Sequence, residues 1–147
     1  KNETGYKNLC KMVSAAFVEG FYSKPRVDKQ LLEQYHEGLI CLSACLAGEI
    51  PQAILAGDYE RAKSSALWYQ ELFGVGNYYI ELQDHGLEEE RRILRPLVSL
   101  ARDIGVKVVL APDIIDCVAK GAGIALDNID TVTEPTHIFH KKAYIRD

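Results

Sequence analysis

Tyr6, Leu9, Met12, Val13, Ala16 and Phe17 recur at spacings of three and four, which is one face of an amphipathic helix. Asn2 or Thr4 stands where a cap would start it, and Gly20 where it would end. Phe21 to Val27 carries Pro25 between Lys24 and Arg26 and reads as a loop. Asp28 then caps a short helix containing Leu31, Leu32 and Tyr35, ended by Gly38. Leu39 to Ser43 is a short apolar run and reads as a buried strand. Glu49 to Leu55 predicts a short helix, with Pro51 tolerated in its first turn. Tyr59, Ala62, Ala66, Tyr69, Leu72 and Phe73 mark a longer one, stopped by Gly74. Tyr78 to Leu82 is a second strand. A helix from about Leu87 to Asp103 follows, with Pro96 inside it to kink it or mark its true start. Val106 to Ala111 reads as a third strand. A weaker helix over about Val118 to Ile129 carries Gly121 and Gly123, which lower its propensity, and Ala143 to Ile145 reads as a final short strand.

Strands alternating with helices imply an α/β fold with βαβ units and a parallel sheet. A closed or partly closed barrel and an open sheet both satisfy the pattern. In either, ligands gather at the carboxyl ends of the strands. Those ends hold Ser43-Ala44-Cys45, Gln83-Asp84-His85 and Pro112-Asp113.

Composition narrows the classes. The 147 residues, 48% hydrophobic and 26% charged, are those of an ordinary globular domain or a large part of one. The net charge of −4 lacks the basic footprint of a stand-alone nucleic-acid binder, so any DNA contact needs a local basic patch or another part of a larger protein. Cys10, Cys41, Cys45 and Cys117 match no zinc ribbon or CxxC redox pair. They read as reduced, buried thiols, which favours a cytoplasmic location. No stretch approaches the ~20 apolar residues of a membrane span. The chain opens on Lys1-Asn2-Glu3 without a Met and stops at Arg146-Asp147, so both ends read as cut points.

Cys45, Asp84, His85 and Asp113 are competent metal ligands if the strand-end loops converge. The plainer alternative is a core thiol at Cys45, a turn at Asp84-His85-Gly86 and a helix cap at Asp113. His36 reads as a histidine at a helix terminus. His137 and His140 lie in a polar stretch with Pro135 and read as loop. Lys24, Arg26 and Lys29 would suit a phosphate backbone, or else form a solvated loop. Glu88 to Arg92 reads as an exposed helix face. Neither a phosphate-binding glycine loop nor a GxSxG elbow is present.

Several long stretches resemble the PHP domain of the bacterial DNA polymerase III alpha subunit. They are KNETGYKNLCKMVSAAFVEGFYSKPRVD (Lys1 to Asp28), EGLICLSACLAGEIP (Glu37 to Pro51), GDYERA (Gly57 to Ala62) and YYIELQDHG (Tyr78 to Gly86), in the family's order. The resemblance implies part of a distorted β/α barrel whose intact site holds up to three metal ions, zinc or manganese. It places Cys45 and Asp113 at family ligand positions and His85 in a family motif. The family's early HxH and TDHG ligand motifs are absent from this chain. The family also has a histidine where Ile115 stands here, and an alkyl group cannot ligate a cation. Ala125-Leu126-Asp127, Glu134-Pro135 and Ala143 to Arg146 resemble the family's run toward the polymerase body, so the whole chain reads as a partial PHP domain leading there from about residue 118.

The resemblance therefore implies a fragment with a degenerate metal site, expected to hold no metal alone and to carry no catalytic residues of its own. Its partners would be the rest of a polymerase chain, DNA through that parent, and a proofreading exonuclease subunit. Two rivals stand beside it. One is a PHP-type metal-dependent phosphoesterase or 3′–5′ exonuclease, with the missing ligands supplied upstream. The other is a stand-alone interaction module. A barrel without its opening strands would also expose sheet edges, which favour self-association.

Overall fold

The computed structural model describes residues 1–106, which fall into two compact units, 1–39 and 40–106. The expected third strand beyond Val106, the helix near 118–129, the strand at 143–145, Asp113, Cys117, His137 and His140 lie outside the described residues.

The first unit holds helix α1 (Glu3–Val18) and helix α2 (Lys29–Tyr35). Asn2, rather than Thr4, caps α1: its Oδ1 accepts the Gly5 N–H at 2.9 Å. Asp28 Oδ1 accepts the Leu31 N–H at 2.9 Å and starts α2. Gly5 meets the backbone of Gly38 so closely that a Cβ at either would overlap the other segment, and Gly38 has φ of +77°. Asn8 Nδ2 donates to the Glu37 carbonyl at 3.0 Å, and Lys11 Nζ sits 5.4 Å from the Tyr35 ring centre. Only two of the six residues of the predicted apolar stripe are buried, and Leu9 and Val13 are among the four that are exposed. Met12 and Ala16 are buried together with Gly5 and Asn8, whereas Tyr6 and Phe17 are 63% and 59% exposed. The close approach at Gly5 turns the contact face toward its smaller residues.

The second unit opens with β1 (Cys41–Leu42). Helices α3 (Glu49–Leu55) and α4 (Tyr59–Phe73) then lead to β2 (Tyr78–Tyr79), followed by α5 (Glu88–Asp103). β1 and β2 pair in parallel, Cys41 with Tyr78 and Leu42 with Tyr79, a βαβ unit as the alternation implied. The ladder is shorter than predicted, for a reason visible at Ser43. Its N–H still donates to the Tyr79 carbonyl at 3.0 Å, but its side-chain Oγ accepts the Glu81 N–H at 2.8 Å. Ala44 then takes φ of +64° and turns the chain away.

α3 packs on both α4 and α5. Ala53, Ala62 and Ala66 are fully buried and admit close helix approach, and Ile50, Leu97 and Leu100 fill the remaining core. α5 runs through Pro96, which therefore does not mark its beginning. Gln70 Nε2 donates to the Ile104 carbonyl at 3.1 Å, closing the far end of α5. The described residues are mostly helical around a two-stranded parallel sheet, and a barrel is not formed among them.

Candidate functional site

Two strand-end loops can be followed. The turn after β1 sets Ser43 inside and Cys45 outside. Ala44 holds a left-handed conformation that costs an L-residue about 1–2 kcal/mol, the kind of strain that gathers at functional turns. Gly48 donates its N–H to the Cys45 carbonyl at 2.8 Å. The expectation of buried thiols is corrected here. Cys10 and Cys45 are exposed and Cys41 half-buried. Cys10 lies off the contact face of α1, and Cys45 lies past the left-handed turn. Burial pushes the Cys41 thiol up to about 11.

The loop after β2 folds onto its own helix. Asp84 Oδ1 accepts the Gly86 N–H at 3.0 Å and lies 3.6 Å from Arg91 Nε. One carboxylate then takes two bonds from His85: Glu90 Oε2 from the backbone N–H at 2.6 Å and Glu90 Oε1 from ring Nδ1 at 2.8 Å. An ionised carboxylate only accepts, so Nδ1 carries the hydrogen. Glu90 is the third residue of α5, and its reach back past Leu87 is a variant of the capping box. Its side chain is 5% exposed, the His85 ring 70%. The His85 ring, then its amide, hold the Glu90 carboxyl below its ordinary range, and the Glu90 bond raises the imidazole.

Cys45 and Glu90 line one small recess of about 10 Å³ together with Glu81 and Gln83, room for about one water. Among the described residues, no three of His, Cys, Asp or Glu come together as a cation site. Asp113, the other ligand position that the resemblance implies, lies outside the described residues.

Elsewhere, His36 Nδ1 meets the Glu33 carbonyl at 2.9 Å beside the end of α2, as its sequence position suggested. Lys24, Arg26 and Lys29 are exposed, and Arg26 lies 5.3 Å from the Tyr22 ring centre. The residue that sequence reading missed is Glu90, placed on an exposed face but 4% exposed. Its signal was available, since Glu90, Ile93, Leu97 and Leu100 follow helical spacing on one stripe.

Residues 1–85, carrying both loops as far as His85, match the PHP domain family. The chain belongs to this family. It is 52% identical over 114 residues to the DNA polymerase III subunit alpha of Treponema pallidum, covering 78% of this chain and 10% of that protein. With the subunit of Borreliella burgdorferi it shares 44% over 135 residues, 83% of this chain and 12% of that one. With that of Campylobacter jejuni it shares 33%, over 97% of this chain and 14% of the other. This PHP chain thus spans about a tenth of the length of the curated relatives it matches. No helix among its described residues is long and apolar enough to cross a membrane.

Proposed function

We propose that this chain is part of the PHP domain of a bacterial replicative DNA polymerase alpha subunit, and that it serves there as a structural, partner-holding element with a degenerate metal rim. The observation that carries this reading is the closure of the loop after β2. Asp84 is engaged by Gly86 and Arg91, and His85 is tied through two bonds to Glu90. The polar groups of a ligand-like motif thereby clamp β2 to α5. Ile115, in place of the family's histidine, supports the same reading. Transfer of deoxynucleotides to a primer end would belong to other domains of the parent. The partners would be the rest of that chain and a proofreading exonuclease subunit.

A PHP-type metal-dependent phosphoesterase or 3′–5′ exonuclease is the second reading. The exposed Cys45, set beyond a strained turn at the carboxyl end of β1, favours it. Elemental analysis of the 147-residue chain purified without chelator, beside Cys45→Ala, separates the two. The structural reading expects no stoichiometric metal in either protein. Stoichiometric zinc or manganese, lost in Cys45→Ala, would replace it with the hydrolytic one.

A further inference from the structure

The twelve residues from Arg91 to Arg102 contain four of the seven arginines in the chain, none of its ten lysines and no acid. This concentration occurs in a protein of net charge −4. All four arginines are exposed. At 3.6 residues per turn, Arg91, Arg95 and Arg102 fall within about 40° of one line along α5, and Arg92 flanks it. The row is about 16 Å long at 1.5 Å per residue. Ile93, Leu97, Leu100 and Ala101 hold the other side of the helix in the core, so the row cannot turn inward without unfolding α5.

A merely solvated face explains part of this. Arg91 approaches Asp84, and Arg102 suits the negative end of the helix dipole. It does not account for Arg92 and Arg95. Glu88 and Glu89 lie four and three residues before Arg92, where helical ion pairs are available. Yet among the described residues no ion pair forms at Arg92, Arg95 or Arg102. Asp103, the acid next to Arg102, instead accepts the Tyr59 hydroxyl at 2.8 Å. The exclusive use of arginine also matters. A guanidinium offers a rigid fork that fits phosphate with two parallel bonds, whereas an ammonium acts as a point charge.

We propose that this arginine row on α5 is a nucleic-acid contact that grips the phosphate backbone, with Arg95 at its centre. The inference goes beyond the structural reading, which needs no DNA contact from this chain and survives if the row binds nothing.

Fluorescence anisotropy tests it on the 147-residue chain, with a labelled 30-base-pair mixed-sequence duplex and the matching single strand, between 25 and 200 mM salt. The variants are Arg92→Gln/Arg95→Gln/Arg102→Gln, single Arg95→Gln, Arg95→Lys and, for the rival loop, Lys24→Gln/Arg26→Gln. Binding should weaken linearly on log–log axes as salt rises. Each lost contact should reduce the steepness by about 0.9 on duplex and about 0.7 on single strand. Arg95→Gln shows one such step, the triple variant up to three, and Arg95→Lys almost none. The single variant keeps the test decisive should the triple variant misfold. No binding to either probe at 25 mM salt would overturn the proposal. So would an Arg95→Gln slope equal to wild type, or loss of binding confined to Lys24→Gln/Arg26→Gln. Equal, row-dependent binding to a poly-glutamate probe would overturn it in favour of an acidic protein surface.

Discussion

The Tyr78 hydroxyl is the one buried side-chain polar atom without a hydrogen-bond partner among the described residues. The residue is 2% exposed, and its ring stacks on Tyr69 at 5.8 Å between centres and 15° between planes. Burial first, then the neighbouring Cys41, raises the phenol far above its ordinary value, so it is neutral at any working pH. Tyr78→Phe preserves the ring and its stacking and removes only the oxygen. An orphaned buried hydroxyl costs about 1–3 kcal/mol in lost hydration. The small void left behind returns part of that, through lost contacts around a cavity smaller than a methyl group. The expected net effect is a stabilisation of about 1 kcal/mol. Urea unfolding of the 147-residue chain should show a higher midpoint at an unchanged m-value, and a Tm higher by about 2–4 °C. A variant less stable by 1 kcal/mol or more would refute the reasoning.

The His85–Glu90 clamp gives a pH signature. His85 is raised, so its contribution is complete below the ordinary imidazole value of about 6.5 and is lost as pH rises through the higher folded value. Glu90 is lowered, so its contribution is complete above about 4.3 and is lost as pH falls through the lower folded value. Stability should therefore peak between those limits and Glu90→Gln should flatten both limbs, as read from urea midpoints across pH 3–9; parallel profiles would exclude the clamp. Gly5→Ala should lower stability by about 1–3 kcal/mol through overlap with Gly38. Helix propensity alone would favour alanine there by about 1 kcal/mol, so a stabilised variant would show that the α1 contact is wrong. Leu100→Ala, at a fully buried position, should cost about 2–5 kcal/mol by denaturation; a loss below 1 kcal/mol would place the side chain outside the core.

Helix positions were legible because each signal was local. Glu49–Leu55 and Tyr59–Phe73 fall where apolar spacing and the Gly57-Asp58 and Gly74 punctuation put them. The strands were overextended, because a run such as Leu39 to Ser43 shows apolar character but not where its ladder ends. That end is set by Ser43, whose hydroxyl takes the Glu81 N–H in place of a backbone carbonyl, a long-range substitution invisible to periodicity. The contact face of α1 was misjudged for a related reason. Spacing weighs large side chains, whereas the close approach of Gly5 to Gly38 is decided by the absence of one.

The candidate site shows the same division between local and distant causes. The turn at Asp84-His85-Gly86 was readable from residue types that favour turns, and Gly86 indeed sits at φ of +89°. What the turn does depends on Glu90, a carboxylate on the apolar stripe of α5. A buried carboxylate is tolerated only when it is paired and hydrogen-bonded, so its position on that stripe already demanded donors nearby. The preceding loop supplies two, the ring and the amide of His85. The ligand-like appearance of the motif and its clamping role thus share one cause. The groups that could face a cation are the groups that satisfy the helix start, and in the neutral imidazole the bond from Nδ1 to Glu90 leaves Nε2 as the only ring nitrogen without a hydrogen. If the hydrolytic reading is correct, any cation must therefore meet His85 at Nε2, with Glu90 retained behind the ring.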